Sequence, residues 1–341
     1  MDLLNILDKI GERRTRKMND EILLLDSTNT LIRNFSFIKA LNTEGTHVGG
    51  TTGFLKSLGS LTRTLDPTRV ICVFDGKGGS LNRKSINPEY KAQRKHQRIT
   101  NWGMYDNRED EQLSLHSQAG RVRDYLDTLP VTVLEIEKLE ADDILAYIAK
   151  QASQAGKKVT IVSTDQDFLQ LVDENIRVYS PIKKIMYGQK QVKEDLGILP
   201  ENYIIMKSLL GDDSDNLSGI KGLGPKTLLK EFPELGDIPH LSLDFIYERC
   251  EDRMKGKIIY PKILEGWDRV ESNFKLMNLH QTMLSEEECR EVSRIMHQKV
   301  KPVDVQKFQS LLKEDKIENF VQNIHSWIQS FQYLYEISLQ K

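Results

Sequence analysis

Carboxylates are the residues of this sequence whose type and spacing could do chemistry. They fall in five short segments: LLLDSTN with Asp26, VFDG with Asp75, LEADD with Glu140, Asp142 and Asp143, STDQDF with Asp165 and Asp167, and GDDSDN with Asp212, Asp213 and Asp215. An all-oxygen set of this kind suits Mg²⁺ or Mn²⁺, and the lack of a Cys/His cluster argues against zinc. Two such ions about 4 Å apart stabilise both the attacking and the leaving oxygen of a phosphodiester. Without an ion, so many like charges would repel one another strongly. Each acid also has a plainer role open to it. Asp26 or Asp75, each after a strand, can begin a turn or cap a helix. The LEADD acids suit the positive end of a helix whatever the function; Glu140 and Asp143 share one face there and Asp142 points elsewhere. DQD and DDSD can be solvated loops. The five groups together are much harder to explain that way.

A second cluster is basic. RKSINPEYKAQRKHQR sets Arg83, Lys84, Lys91, Arg94, Lys95 and Arg98 against a single acid, Glu89. On a helix, Lys91, Arg94, Lys95 and Arg98 would line one side. The segment is either a solvated helix face or a phosphate-capturing surface, with Tyr90 stacking on a base. Trp102 and Tyr105 read as packing for it. Further on, GIKGLGPKT (Gly219 to Thr227) places glycines where a tight turn joins two helices. Backbone N–H groups at such a turn can hold phosphate without reading bases, although an ordinary helix–helix turn has the same look. None of His47, His96, His116, His240, His280, His297 or His325 forms a pair with ligand spacing, so they read as surface or packing residues.

The elements that must position these groups are strands alternating with helices. Strands are predicted at EILLL from Glu21, at TRVICVF from Thr68, at PVTVLE from Pro130, at KVTIVS from Lys158 and at NIRVY from Asn175. Helices are predicted over 52–65, 117–129 and 141–155. This order implies an α/β fold with a mostly parallel central sheet and helices on both faces. Ligands of such sheets gather outside the carboxyl ends of the strands, where Asp26, Asp75 and Asp165 all fall. From Gly76 to about Gln118 the chain turns polar and breaks strand rhythm, which marks an insertion. After about Asn202 it reads as helices. The expected organisation is an N-terminal extension (1–20), an α/β domain (21–205) with an arch-like insertion (about 80–118), and a helical region (206–341) that starts with the glycine turn (about 206–235).

At 341 residues, with 39% hydrophobic and 29% charged content, the chain can build a sizeable core. Its three cysteines, Cys72, Cys250 and Cys289, are far apart and odd in number, so neither a disulfide frame nor a zinc site is expected. No apolar run approaches the roughly 18–20 residues that span a bilayer. The N-terminus lacks the apolar stretch of a signal peptide, so a cytoplasmic protein without membrane contact is expected. The net charge of −2 hides an acidic site beside a basic surface.

In order and separation, LLLDSTN, FDG, LEADD, STDQDFLQL and GDDSDNLSGIKGLGPKT resemble the structure-specific 5′-nuclease family: bacteriophage 5′-exonucleases and RNase H, the 5′-nuclease domain of bacterial DNA polymerase I, and more distantly flap endonucleases. The resemblance covers about 22–231, and its last two motifs are specific. It implies that Asp26, Asp75, Glu140, Asp142, Asp143 and Asp165 form an inner metal cluster, and that Asp167, Asp212 and Asp215 serve a second ion. Asp213 falls where relatives vary. Two Mg²⁺ ions are implied, with Mn²⁺ as a substitute. YKAQR looks like the basic motif of the family's helical arch, so Lys91 and Arg94 would meet the scissile phosphate and Arg83, Lys84, Tyr90, Lys95 and Arg98 would hold the strand. Gly222, Gly224 and Lys226 match the family's helix–hairpin–helix, which grips duplex, often with a monovalent cation such as K⁺. Leu228 departs from the small residue common there.

The function implied is a divalent-metal-dependent 5′-3′ exonuclease or flap endonuclease, with RNase H activity, that removes primers or flaps from branched DNA or RNA·DNA during replication. A monomer, a single-strand-binding protein or sliding clamp as partner, and a free-standing nuclease of the bacteriophage kind go with that. The related PIN-like ribonucleases lack both the basic insertion and the glycine turn, and both are present here. A catalytically silent junction binder would have lost acids that this sequence retains. The residues before Asp26 are more than the family usually places there, either an amphipathic appendage or a DNA-contacting arm.

Overall fold

In a computed structural model, which describes residues 16–93, 100–101, 103–320 and 323–340, the chain folds around one six-stranded sheet. Its strands are β1 (Glu21–Asp26), β2 (Arg69–Phe74), β3 (Thr132–Glu135), β4 (Lys158–Val162), β5 (Ile176–Ser180) and β6 (Ile185–Tyr187). They lie in the order β3-β2-β1-β4-β5-β6, all parallel except β6, which folds back on β5. β1 is the centre: Leu24 is in register with Ile71 of β2 on one side and Ile161 of β4 on the other. Chain order runs outward from β1 through β2 and β3, then returns to its other flank with β4. The carboxyl ends of β1 and β4 therefore border the switch in strand order, where ligands bind in such sheets.

Both faces of the sheet are buried, which is why its strands read as unbroken apolar runs. Ile22, Leu24, Ile71 and Val73 point to one core; Leu23, Leu25, Val70, Cys72 and Phe74 point to the other. The second core is covered by α1 (Ser27–Phe37) and α2 (Gly49–Leu65). After the short α3 (Leu81–Ile86), α4 (Arg108–Asp127) joins that layer. The first core is covered by α5 (Ala141–Gln154), α6 (Gln189–Leu196) and α7 (Tyr203–Leu210), and later by α8 (Pro225–Glu231), α9 (Leu243–Asp252), α10 (Ile259–Glu265), α11 (Trp267–Met277) and α12 (Glu286–Met296). Two C-terminal helices, Val305–Glu314 and Ile324–Ser338, cross back to the second core.

The five predicted strands are present, with shifts of a residue or two at their ends. Three features differ. Helix α1 was not foreseen, because STNTLIRNFSF is rich in residues of modest helix propensity. Yet its buried positions Ser27, Thr30, Leu31, Asn34 and Phe35 follow helical spacing, and Asp26 caps it. Helix α4 begins at Arg108 rather than Ser117, capped by Asn107 with three acids in its first turn. Its second half, already expected as helix, packs in the core through Val122, Tyr125 and Leu126. Strand β6 is the third. No helix among the described residues is long and apolar enough to cross a membrane.

Candidate active site

The strand ends place the acids. Asp26 closes β1 and accepts hydrogen bonds from the Asn29 backbone N–H (3.0 Å) and the Ser163 hydroxyl (2.8 Å). Ser163 also accepts from the Asp165 N–H at 3.0 Å, so one hydroxyl ties the ends of β1 and β4 together. Asp75 follows β2 and accepts from the Ala141 N–H at 2.8 Å. It caps α5 in place of Glu140, which occupies the cap position without a capping bond of its own. Gly76 makes this possible: a Cβ there would sit 1.7 Å from the carbonyl oxygen of Ile136. The loops after β2 and β3 close to a distance that only glycine allows.

Four acids are left facing one another. Among the described residues no ion pair reaches Asp26, Asp75, Asp142 or Asp165. Burial pushes Asp26 up to about 7, and the charges of Asp75 and Asp165 add to this. Asp142, half-buried, is raised well above its ordinary value by lost hydration and then by Asp165 and Asp26.

The other acids meet cations of the protein. Arg83 is 4% exposed, and its Nη1 donates to Glu140 (2.7 Å) and Asp143 (2.6 Å), its Nη2 to Asp143 (3.1 Å) and its Nε to the Leu276 carbonyl (2.9 Å). Lys91 donates to the other oxygen of Glu140 at 2.7 Å and lies 3.9 Å from Asp215. Burial would push Glu140 up, but Lys91 and Arg83 outweigh it and hold the carboxyl below its ordinary value. Lys207 sits 2.9 Å from Asp167 and also hydrogen-bonds Asp212. Asp167 is nevertheless pushed up to about 7, by burial first and Asp165 second.

Three residues lie in settings other than the expected one. Arg83 does not face a strand; it is an interior clamp on two acids. Tyr90 does not offer a ring to a base, since it is 2% exposed and its hydroxyl donates to Glu140 at 3.2 Å. Asp143, expected to face an ion, has both oxygens engaged by Arg83, and the Met283 N–H adds a 3.0 Å bond to one of them. Lys84 is half-buried at the end of α3. Arg94, Lys95, Arg98 and Trp102 lie outside the described residues. Tyr105 packs as expected, stacked on Phe35 and bonded through its hydroxyl to His47 at 2.7 Å and Ser114 at 2.7 Å.

The glycine turn follows α7. A two-stranded hairpin pairs Gly211–Asp212 with Leu217–Ser218, and the turn over 219–224 leads into α8. A Cβ on Gly219 would stand 2.0 Å from the Leu210 carbonyl oxygen, and Gly222 takes φ +86°. Lys226 and Gly222 are exposed, and Gly224 occupies the cap of α8. Lys207 was missed by sequence reasoning. Its signal is a lone cation in the apolar helix YIIMKSLL, four residues ahead of GDDSD.

The donor set fits divalent ions: it is all oxygen, and Asp26 and Asp142 are enclosed against like charges that a cation would relieve. As they stand, no three acids among the described residues are close enough together to hold an ion, and several are turned to cations of the protein instead.

Comparison with known proteins agrees with the fold. The family model described as 5′-3′ exonuclease, N-terminal resolvase-like domain matches residues 21–197. A 5′-3′ exonuclease of Aquifex aeolicus is 27% identical over 307 residues, 89% of this chain and 94% of that protein. DNA polymerase I of Rhizobium leguminosarum is 33% identical over 245 residues, 69% of this chain but 22% of the polymerase, so the chain corresponds to a small part of that protein. Among solved structures, a bacteriophage T5 flap endonuclease in complex with DNA and metal ions has the same fold, with a TM-score of 0.62 at 21% identity over 87% of this chain and 99% of that one.

Proposed function

The chain belongs to the 5′-3′ exonuclease family, and on that premise we propose that it is a divalent-metal-dependent nuclease that hydrolyses phosphodiesters near 5′ ends of branched DNA or RNA·DNA. The observation that carries this is the convergence of Asp26, Asp75, Asp142 and Asp165 at the switch point of the sheet, with Asp26 and Asp142 raised in pKa by burial first and by neighbouring acids second. Divalent ions bound there supply Lewis acidity to the phosphodiester and its attacking water. The chain's own residues do the rest. Ser163 and Asn29 fix the Asp26 carboxylate, Ala141 fixes Asp75, and Arg83 and Lys91 hold Glu140 from opposite sides. Lys91 is the one of these cations that is within reach of solvent, 12% exposed, and its ammonium is the group placed to meet developing charge on the phosphate. Lys226 and the turn at Gly222 and Gly224 grip the duplex backbone, with K⁺ as the monovalent ion there. Removal of primers or flaps in replication is the setting that fits this chemistry.

The test is a 5′-flap substrate incubated with the purified chain and Mg²⁺. The expected result is release of the flap, abolished by EDTA. Cleavage that persists in EDTA overturns the proposal.

A further inference from the structure

We propose that Lys207 is a built-in counter-ion that weakens the hold of the Asp167–Asp212 pair on a second divalent ion. The inference rests on the nuclease reading of the site and concerns how that site fills.

Lys207 projects from α7, whose other residues from Tyr203 to Leu209 are buried, so its stem is fixed by the packing of that helix. Its ammonium stands 2.9 Å from Asp167 and hydrogen-bonds Oδ2 of Asp212. Oδ1 of Asp212 is engaged as well: it accepts from the Ser214 N–H (2.7 Å), the Ser214 hydroxyl (2.6 Å) and the Asp215 N–H (3.3 Å). The three side chains are only 14–16% exposed, so their charges are poorly screened. An arriving divalent ion must share these carboxylates with a positive charge that cannot diffuse away, and the two cations repel at short range. Among the described residues no ion pair reaches Asp26, Asp75, Asp142 or Asp165. The same edge of the sheet thus offers one group of acids that needs an ion and another that already has a surrogate. Filling is sequential: the first ion goes to the inner acids, and the second binds weakly until substrate phosphate adds further negative charge.

The test is a titration of the full chain with Mn²⁺ alone, without DNA, following free Mn²⁺ by electron paramagnetic resonance. Wild type is expected to bind one ion tightly and a second weakly. Lys207→Met keeps the aliphatic stem, removes the charge and should tighten the second site by about tenfold, the scale of losing one close like charge that is partly screened. Lys207→Arg keeps the charge and should leave the second site weak. Melting temperature gives an independent readout: Mn²⁺ should raise that of the Met variant more than that of wild type. Equal second-site affinity in wild type and Lys207→Met overturns the proposal. So does a wild type that binds two ions equally, a result that needs no variant to fold. A wild type that binds no ion and cleaves no flap would instead sink the nuclease reading itself.

Discussion

Two sets of carboxylates share the carboxyl edge of one sheet and are treated in opposite ways. Asp26, Asp142 and Asp165, with Asp75, face one another; Glu140, Asp143, Asp167 and Asp212 are each paired with Arg83, Lys91 or Lys207. Composition does not separate them, since both sets come from the same short acidic motifs. Burial and the neighbouring cation do. A buried acid with its own cation has its charge already balanced, whereas a buried acid among acids is a site awaiting a ligand.

The sharpest way to break this comparison is to neutralise one acid from each set. Asp26→Asn should lower the cleavage rate by about 10³-fold or more, since metal charge stabilisation is worth several kcal/mol. It should raise the melting temperature of the metal-free protein at pH 8, because a repulsion is removed. Unchanged cleavage would move Asp26 out of the site. Arg83→Met should do the reverse to stability, leaving Glu140 and Asp143 buried without a partner at a cost of about 3–5 kcal/mol. Urea unfolding would read this, and a loss below about 1 kcal/mol would show that the clamp is not structural.

Lys91 lies between the sets, paired to Glu140 yet near the surface. Lys91→Ala should slow cleavage by about 10²-fold, the usual scale for removing one charge donor from a reaction centre. Duplex affinity, measured by fluorescence anisotropy in Ca²⁺, should change far less; equal losses would make Lys91 a tether only.

The smallest effect is in pH. Asp26 and Asp167 are pushed up to about 7, so between their ordinary value of 3.8 and 7 the folded chain binds protons that the unfolded chain has released. Their contribution to stability is present at low pH and is lost as pH rises through 7. His280, lowered chiefly by burial, pulls the other way as a single group. In EDTA the melting temperature should therefore fall from pH 5.5 to pH 8, by on the order of 1 kcal/mol of stability per pH unit. Mg²⁺ or Asp26→Asn should flatten the slope, and a rise with pH would contradict the raised carboxyls.

How much of this was legible in the sequence follows the same division. Strands β1, β2 and β4 were plain because both their faces are buried, and their ends named Asp26, Asp75 and Asp165. The direction of a side chain was not. Arg83 read as one more member of a basic run, yet it is turned inward to acids 57 and 60 positions away. Nothing local distinguishes an inward arginine from an outward one three residues from a helix start. Asp26 was read as a metal ligand or as a turn or cap residue, and it caps α1, a helix that its own weak propensity hid. Lys207 went unnoticed because one lysine in an apolar helix looks like an interruption rather than a partner.

The segment from Leu276 to Met283 shows how late the active centre is finished. Leu276 accepts from Arg83, Met277 and Leu279 bond the Gln170 side chain, and Met283 donates to Asp143. On the ribosome, all the acids of the catalytic edge emerge well before this stretch does. Until it has left the exit tunnel, the clamp behind Glu140 has no backstop. The groups behind Glu140 and Asp143 therefore gain their last hydrogen bonds only after most of the chain has been made.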